Sequence, residues 1–173
     1  MASSKFFSFS ILLLSTTVLY VTEAQESLPK TMVLYLQETV KGPNSTVSPI
    51  IGLTGKDWSF HQFGTIFAVD DPVMVSPNQF SSVVGRAQGL LVVSAQDGAN
   101  MFVSLSIVFT NLQYSGSSIE IQGVSRQSEK YRELSVVSGT GKFRFVKGYA
   151  AFQTTSYDAQ TSHSTISLTL TFQ

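Results

Sequence analysis

Apolar and polar residues alternate with a period of two along most of this chain. In residues 163–173, every second residue from Ile166 to Phe172 is apolar, and the residues between them are Ser or Thr. Such alternation puts one set of side chains on each face of a β-strand and therefore predicts half-buried strands. The same signal predicts further strands over residues 31–40, 63–70, 86–95, 100–111, 118–124, 132–138, 142–146 and 149–156.

Turn-forming residues separate these segments, and no stretch shows a sustained helical period. Asp97-Gly98 and Gly139-Thr140-Gly141 predict tight hairpins, and Asp70-Asp71-Pro72 predicts a turn in which the carboxylates bond to the backbone. About eight strands with short connections predict a single all-β domain, either an antiparallel barrel or a sandwich. A barrel of about eight strands can hold one small ligand.

The first 24 residues predict export from the cell. Lys5 precedes an apolar run over residues 6–21, which ends in Thr22-Glu23-Ala24. A positive start, a short apolar run and a small residue at the end are typical of a signal peptide. The alternative is a membrane anchor, but the run is shorter than the ~20 residues that a span needs. We therefore expect residues 1–24 to be cleaved and residues 25–173 to form one secreted, extracellular domain.

Composition excludes several function classes. Eleven basic residues balance eleven acidic ones, so nothing favours nucleic acid or an anionic membrane surface as a partner. The chain has no cysteine, and His61 and His163 lack metal-ligand spacing, so we expect neither a metal nor another cofactor. Asn44-Ser45-Thr46 is an N-glycosylation sequon, and Gly42-Pro43 before it predicts an exposed loop.

Two charged residues share a strand face with apolar ones. Glu38 has the parity of Leu34 and Leu36, and Arg132 has the parity of Leu134 and Val136. A charge on an inward face costs several kcal/mol unless it is paired or hydrated, so this placement indicates a lined pocket with shifted pKa values. The alternative is that both residues sit at strand ends and reach solvent.

Several ordered motifs resemble those of the plant dirigent family. They are FGT at 63–65, DDP at 70–72, VGRAQG at 84–89, FTN at 109–111, RELSVVSGTGKFR at 132–144 and GYA at 148–150. The resemblance covers essentially all of residues 25–173. It implies a secreted, glycosylated, apoplastic protein. The implied fold is an eight-stranded antiparallel β-barrel, assembled as a homotrimer, whose central cavity holds a phenolic ligand.

The family has two kinds of activity, and departures from the lignan-type pattern help to choose between them. Lignan-type members guide the coupling of monolignol radicals that an oxidase or laccase has made. Pterocarpan synthases of legumes dehydrate an isoflavanol and close an ether ring. Where lignan-type members carry His-Asp, this chain has Gln37-Glu38, and Ser125 stands in place of an aspartate. Leu34-Tyr35-Leu36-Gln37-Glu38 is more similar to the pterocarpan synthase branch.

The resemblance implies roles for individual residues in an isoflavanol dehydratase without a cofactor. Glu38 is expected to transfer a proton at the leaving hydroxyl, Arg132 to stabilise a developing phenolate, and Thr154 to orient a substrate oxygen. Further substrate-binding positions are expected at Leu34, Leu36, Leu91 and Ser125. Two alternatives stay open: a non-enzymatic guide for phenoxy radicals that needs a partner oxidase, and a defence protein that only sequesters phenolics.

Overall fold

The structure is a computed structural model that describes residues 28–111 and 113–173. The predicted signal peptide over residues 1–24 lies outside the described residues and stays a prediction. The described residues form nine antiparallel β-strands: β1 (Thr31–Thr39), β2 (Val47–Ile51), β3 (Ile66–Met74), β4 (Val83–Val93), β5 (Asn100–Phe109), β6 (Ser118–Arg126), β7 (Arg132–Gly139), β8 (Gly148–Asp158) and β9 (His163–Phe172).

The strands close into an eight-stranded barrel, as the resemblance implied. Each strand from β3 to β9 pairs with its neighbour in sequence, β9 pairs with β1, and β1 returns to β3. The ninth strand, β2, pairs with the first part of β3, whereas β1 pairs with its last part. Strands β1 and β2 therefore share one edge of β3 and occupy a single position in the barrel. Closure leaves no long free edge on this Val-, Ile- and Phe-rich sheet.

A short excursion of the chain separates β1 from β2. The backbone N–H of Thr46 donates to the carbonyl of Thr39 at 2.8 Å, which pinches residues 40–45 into a closed loop. Asn44 is exposed in this loop, in agreement with the exposed loop predicted for the sequon. Glycosylation of Asn44 itself stays a prediction.

One end of the barrel is plugged by aromatic rings, where the sequence pattern predicted a strand over residues 142–146. That prediction is wrong, because a 3-10 helix, Gly141–Phe143, turns the chain inward there. Phe143 is fully buried against Phe109, Tyr114 and Phe172, with ring centroids 5.0–6.0 Å apart. Phe145 has a positive φ of 66° and is 86% exposed, so the two phenylalanines do not share a face. Among the described residues, no helix is long and apolar enough to cross a membrane.

Replacing Phe143 by alanine is expected to destabilise the protein by about 3–5 kcal/mol, because the ring is fully enclosed at the plugged end. Phe145→Ala also removes a phenylalanine side chain, two residues further along and at an exposed position. We expect its effect on the free energy of unfolding to stay within ~0.5 kcal/mol. Urea unfolding of both variants measures the difference. Equal losses in the two variants would contradict the placement of this segment.

Two further expectations from the sequence are corrected by β2 and β3. Asp70-Asp71-Pro72 does not form a turn; it lies inside β3, so the alternation of Phe67 and Val69 continues through Asp71 to Val73. A proline is tolerated there because Pro72 falls between the part of β3 that pairs with β2 and the part that pairs with β1. Strand β2 is absent from the predicted strands, since it is short and carries Pro49.

Candidate functional site

A cavity of about 310 Å³ opens at the end of the barrel opposite the aromatic plug. Side chains from all eight barrel strands line it, and so does the loop between β2 and β3. Ten of the lining residues are apolar: Leu36, Phe60, Val69, Leu91, Met101, Val103, Leu105, Leu134, Phe152 and Ile166. The polar ones are Glu38, His61, Asp71, Ser125, Gln127, Arg132 and Thr154. A mostly apolar wall with a few convergent polar groups is typical of a small-molecule site.

Arg132 enters the cavity from the first residue of β7. Its Nη2 donates to the Thr154 hydroxyl on neighbouring β8 at 3.0 Å. Its Nε is buried without a hydrogen-bond partner. Burial lowers the pKa of the guanidinium, and the Glu38 carboxylate raises it. Arg132 is the arginine in the lining of this cavity and remains a cation at physiological pH.

Glu38 lies near the end of β1, and its side chain turns into the cavity as the alternation with Leu36 predicted. Burial raises the pKa of this carboxyl, and the positive charge of Arg132 lowers it. The sequence predicted this combination: an inward-facing carboxyl whose pKa is shifted by burial and by a charged neighbour.

Asp71 is a second carboxyl in the same cavity, and sequence reasoning missed it. The residue is only 2% exposed. Thr46 closes the loop over residues 40–45, and its hydroxyl donates to Oδ1 of Asp71 at 2.5 Å. The backbone N–H of Thr39 in turn donates to the Thr46 hydroxyl oxygen at 2.9 Å. The excursion therefore fixes one carboxyl oxygen of Asp71.

Desolvation dominates the electrostatics of Asp71. Burial and, to a smaller extent, the nearby Glu38 charge raise the pKa of this carboxyl to about 8, although the Thr46 hydroxyl lowers it. Asp70, one residue earlier, points to the outside of the barrel. There a side-chain hydrogen bond from Arg86 lowers the pKa of Asp70. The two adjacent aspartates lie on opposite faces of one strand, and their pKa values are therefore shifted in opposite directions.

The raised pKa of Asp71 predicts that the protein loses stability as the pH rises from about 4 to about 8. The folded protein holds the Asp71 proton over that range while the unfolded chain releases it, so the slope of unfolding free energy against pH is negative. Asp71→Asn is expected to flatten this slope and to be more stable than the unsubstituted protein at pH 8. Urea unfolding at pH 4, 6 and 8 measures it.

Asp70→Asn is the matched control for that experiment, and its effect has the opposite sign. Because the folded-state pKa of Asp70 is lowered, its contribution is present above the ordinary value of 3.8 and is lost as the pH falls through the folded-state pKa. The negative slope between pH 4 and 8 should survive in Asp70→Asn. A slope unchanged in Asp71→Asn would contradict a buried, protonated Asp71.

Gln127 organises the mouth of the cavity. Its Nε2 donates to the carbonyl oxygens of Phe60 at 2.6 Å and Gly98 at 2.8 Å. Gly98 has a φ of +73°, and a Cβ there would lie 2.2 Å from the carbonyl oxygen of His61, so only glycine fits. Phe60 stacks on Phe67 with centroids 4.4 Å apart. These contacts hold Phe60 and His61 across part of the opening.

Most of the residues predicted from the sequence meet in this cavity. Glu38, Arg132, Leu36, Leu91, Ser125 and Thr154 all line it. Leu34 does not: it has the same parity as Leu36 but is buried one step deeper, in the core of the barrel. The role of each residue toward a substrate stays a prediction.

Gln37 and His163 lie outside the cavity, on the opposite face of β1 and β9. His163 Nε2 donates to Gln37 Oε1 at 2.9 Å, and the Thr39 hydroxyl lies 3.1 Å from His163 Nδ1. Gln37 Nε2 also donates to the carbonyl of Pro77 at 3.3 Å. The Gln37 difference from the lignan-type pattern therefore does not change the cavity wall itself.

No group of three or more His, Cys, Asp or Glu side chains that could hold a metal occurs among residues 28–111 and 113–173. The ionisable groups that line the cavity are two carboxyls, one guanidinium and the His61 imidazole. These groups can donate and accept protons and stabilise a developing anion, and the apolar wall around them limits water.

An eight-stranded barrel with a mostly apolar, acid-bearing cavity has the architecture of a small-molecule-binding barrel. The family model described as "Dirigent-like protein" matches residues 29–173, so the chain belongs to the dirigent family.

Curated relatives include legume enzymes. Pterocarpan synthase 1 of Glycine max is 36% identical over 125 residues, which span 72% of this chain and 67% of that protein. Pterocarpan synthase 1 of Glycyrrhiza echinata is 34% identical, over 72% of this chain and 66% of its own length. Dirigent protein 23 of Arabidopsis thaliana is 31% identical, over 79% of this chain and 73% of that protein. The matches thus span about two thirds to three quarters of these relatives.

Solved structures of two pterocarpan synthase dirigent proteins have the same fold. One has a TM-score of 0.75 and 28% identity, and covers 85% of this chain and 87% of its own. The other has a TM-score of 0.74 and 31% identity, and covers 82% of this chain and 92% of its own.

Proposed function

We propose that this protein is a pterocarpan synthase-like dirigent protein that dehydrates a 2′-hydroxyisoflavanol and closes the ether ring of a pterocarpan. One observation carries the proposal: carboxyls with raised pKa values share a mostly apolar cavity with a guanidinium. The similarity to two proteins named pterocarpan synthase 1 supports the choice of substrate class.

The proposed reaction needs acid–base groups and a dry, shaped site, and it needs no oxidant. An isoflavanol has a benzylic hydroxyl para to a phenol. Protonation of that hydroxyl and loss of the phenolic proton expel water and leave a quinone methide. The 2′-hydroxyl then adds to the benzylic carbon, and the phenol is restored. The fixed pose in the cavity decides which face is attacked.

Residues that line the cavity are assigned to each part of this reaction. Glu38 exchanges a proton with the substrate, and burial, which raises the pKa of this carboxyl, favours that role although Arg132 opposes the shift. Arg132 stabilises the phenolate that develops during expulsion of water. Thr154, which accepts a hydrogen bond from Arg132, orients a substrate oxygen. Leu36 and Leu91 belong to the apolar wall that grips the rings.

Incubation of the purified protein with racemic cis and trans 2′-hydroxyisoflavanols, with no oxidase present, tests the proposal. We expect one pterocarpan enantiomer to predominate on chiral chromatography. A heat-denatured sample controls for spontaneous closure, which gives no enantiomeric excess. Absence of any pterocarpan above this control would contradict the proposal.

The alternative function is that of a non-enzymatic guide for phenoxy radicals. The similarity to Dirigent protein 23 is the reason to retain it, and the same experiment can distinguish it. It needs the same barrel but no proton transfer. Stereoselective lignan formation from coniferyl alcohol only after an oxidase is added, with no turnover of isoflavanol, would favour this alternative.

We propose an extracellular setting for this activity, with the signal peptide over residues 1–24 removed. The exposed sequon at Asn44 supports it, since N-glycans are added on the secretory route. The homotrimer implied by the family resemblance stays a prediction, which light scattering on the purified protein tests.

A further inference from the structure

The two carboxyls of the cavity come from neighbouring strands of the barrel, Glu38 from β1 and Asp71 from β3. Strand β1 meets β3 with Tyr35 opposite Met74 and Leu36 opposite Val73. The β1–β3 ladder ends at Leu36 and Val73; Glu38 and Asp71 lie two residues beyond it on their strands, and both side chains line the cavity. The charge of Glu38 acts on Asp71 across this cavity. Two carboxyls that share one mostly apolar cavity cannot both ionise without repulsion.

The surroundings of the pair are unequal. Glu38 feels the positive charge of Arg132 from β7. Asp71 has the neutral Thr46 hydroxyl on one oxygen, and its own cation neighbour, Arg86, is engaged by Asp70 on the outer face. His61 lines the cavity from the loop before β3. The cation is therefore on the Glu38 side, which favours the carboxylate on Glu38 and the proton on Asp71.

We propose that Asp71 is a second catalytic residue. Asp71 and Glu38 form a dyad, a pair of carboxyls that shares one proton and lies beside the benzylic carbon of the substrate. This inference rests on the proposed function. It also replaces the assignment of Glu38 to the leaving hydroxyl: Asp71 gives that proton, and Glu38 accepts one.

This dyad accounts for the protons that the reaction moves. Asp71 gives its proton to the benzylic hydroxyl, the C–O bond breaks with its electron pair on oxygen, and water leaves. The phenolic proton passes to solvent water at the open mouth, and Arg132 stabilises the oxygen that loses it. The two carboxylates left behind repel each other, which strengthens Glu38 as a base. A lone pair of the 2′-hydroxyl then forms the ring C–O bond, and its proton goes to Glu38. The phenol recovers a proton from water. The proton on Glu38 passes to Asp71, which restores the starting state.

Asp71→Asn tests the role of Asp71, with Asp70→Asn as the matched control. Asparagine keeps the size of the side chain and can still accept the Thr46 hydrogen bond, but it has no acidic proton. We expect kcat/KM for the isoflavanol to fall ~100-fold or more in Asp71→Asn and to stay within about twofold in Asp70→Asn. The Kd for the pterocarpan product should change little in either variant. Full turnover by a folded Asp71→Asn would overturn the proposal and leave the proposed function intact.

Carboxyl carbon NMR of the unsubstituted protein tests the dyad without relying on turnover. We expect one of the two cavity carboxyls to remain protonated at pH 6.5, and Asp71 to titrate at lower pH in Glu38→Gln, which removes the opposing charge. Two ionised carboxyls at pH 6.5 would overturn the dyad. If no isoflavanol is converted but the shared proton is observed, the proposed function fails while the dyad stands.

Discussion

Glu38→Gln is expected to lower kcat for isoflavanol conversion by ~10²–10⁴-fold, the range typical of a lost general acid–base group. Glutamine keeps the length and the hydrogen-bonding oxygen of the side chain but cannot exchange a proton at neutral pH. The buried position favours a neutral side chain, so the variant should fold and should unfold at a denaturant concentration no lower than the unsubstituted protein. Steady-state kinetics and urea unfolding measure both quantities.

Glu120→Gln is a matched control for this substitution. Glu120 is a partly buried strand carboxyl whose Oε1 accepts a hydrogen bond from Ser118 at 2.7 Å, and it is not among the residues that line the cavity. We expect Glu120→Gln to turn over substrate at a rate close to that of the unsubstituted protein. A folded Glu38→Gln that also kept full activity would remove Glu38 from the mechanism.

Arg132→Met is the second substitution with a large expected effect. Methionine has a similar reach and suits the apolar wall, but it cannot stabilise an anion. We expect kcat to fall ~10²–10³-fold, by analogy with the loss of one group that stabilises a developing negative charge. The pKa of Glu38 should rise further, because the positive charge that opposes the effect of burial is gone. The acidic limb of the pH–rate profile reports that shift.

Arg126→Met provides the comparison for Arg132→Met. Arg126 is exposed and has a weak contact with Glu129 at 3.8 Å, a kind of surface pair that contributes little. Its replacement should leave both kcat and stability nearly unchanged. An equal loss of activity in the two variants would mean that net charge, and not the cavity guanidinium, governs turnover.

Much of the barrel is predictable from alternation alone, because one face of each strand packs inward. Alternation also predicts the cavity-facing direction of Glu38 and Arg132, since each shares the parity of apolar neighbours on its own strand. The same rule fails at residues 142–146. Phe143 and Phe145 alternate like strand residues, but a 3-10 helix buries one ring and exposes the other. Alternation cannot separate these two cases over so few residues.

The missed carboxyl has a different cause. Asp-Asp-Pro is strong turn chemistry, and that local signal competes with the alternation that runs from Val69 through Asp71 to Val73. Tertiary context decides in favour of the strand, because Pro72 lies at a gap between two ladders. Extending the alternation through this tripeptide is the signal that could have found Asp71.

The mouth of the cavity could not be predicted from the sequence. Phe60 and His61 reach it from a long loop, and Gln127 holds that loop through two backbone carbonyls distant in sequence. No periodicity links these positions. Leu34 shows the complementary error: parity identifies the inward face, but depth along the barrel decides whether an inward residue meets the cavity or the core.

The central claim is that the cavity removes the benzylic hydroxyl as water by acid–base chemistry. A substrate that carries ¹⁸O at that hydroxyl tests it most directly, in an oxygen-free reaction analysed by mass spectrometry. The account predicts an unlabelled pterocarpan and one equivalent of labelled water, because the ring oxygen comes from the 2′-hydroxyl. Retention of ¹⁸O in the product, or formation of product only when an oxidant is supplied, would contradict it.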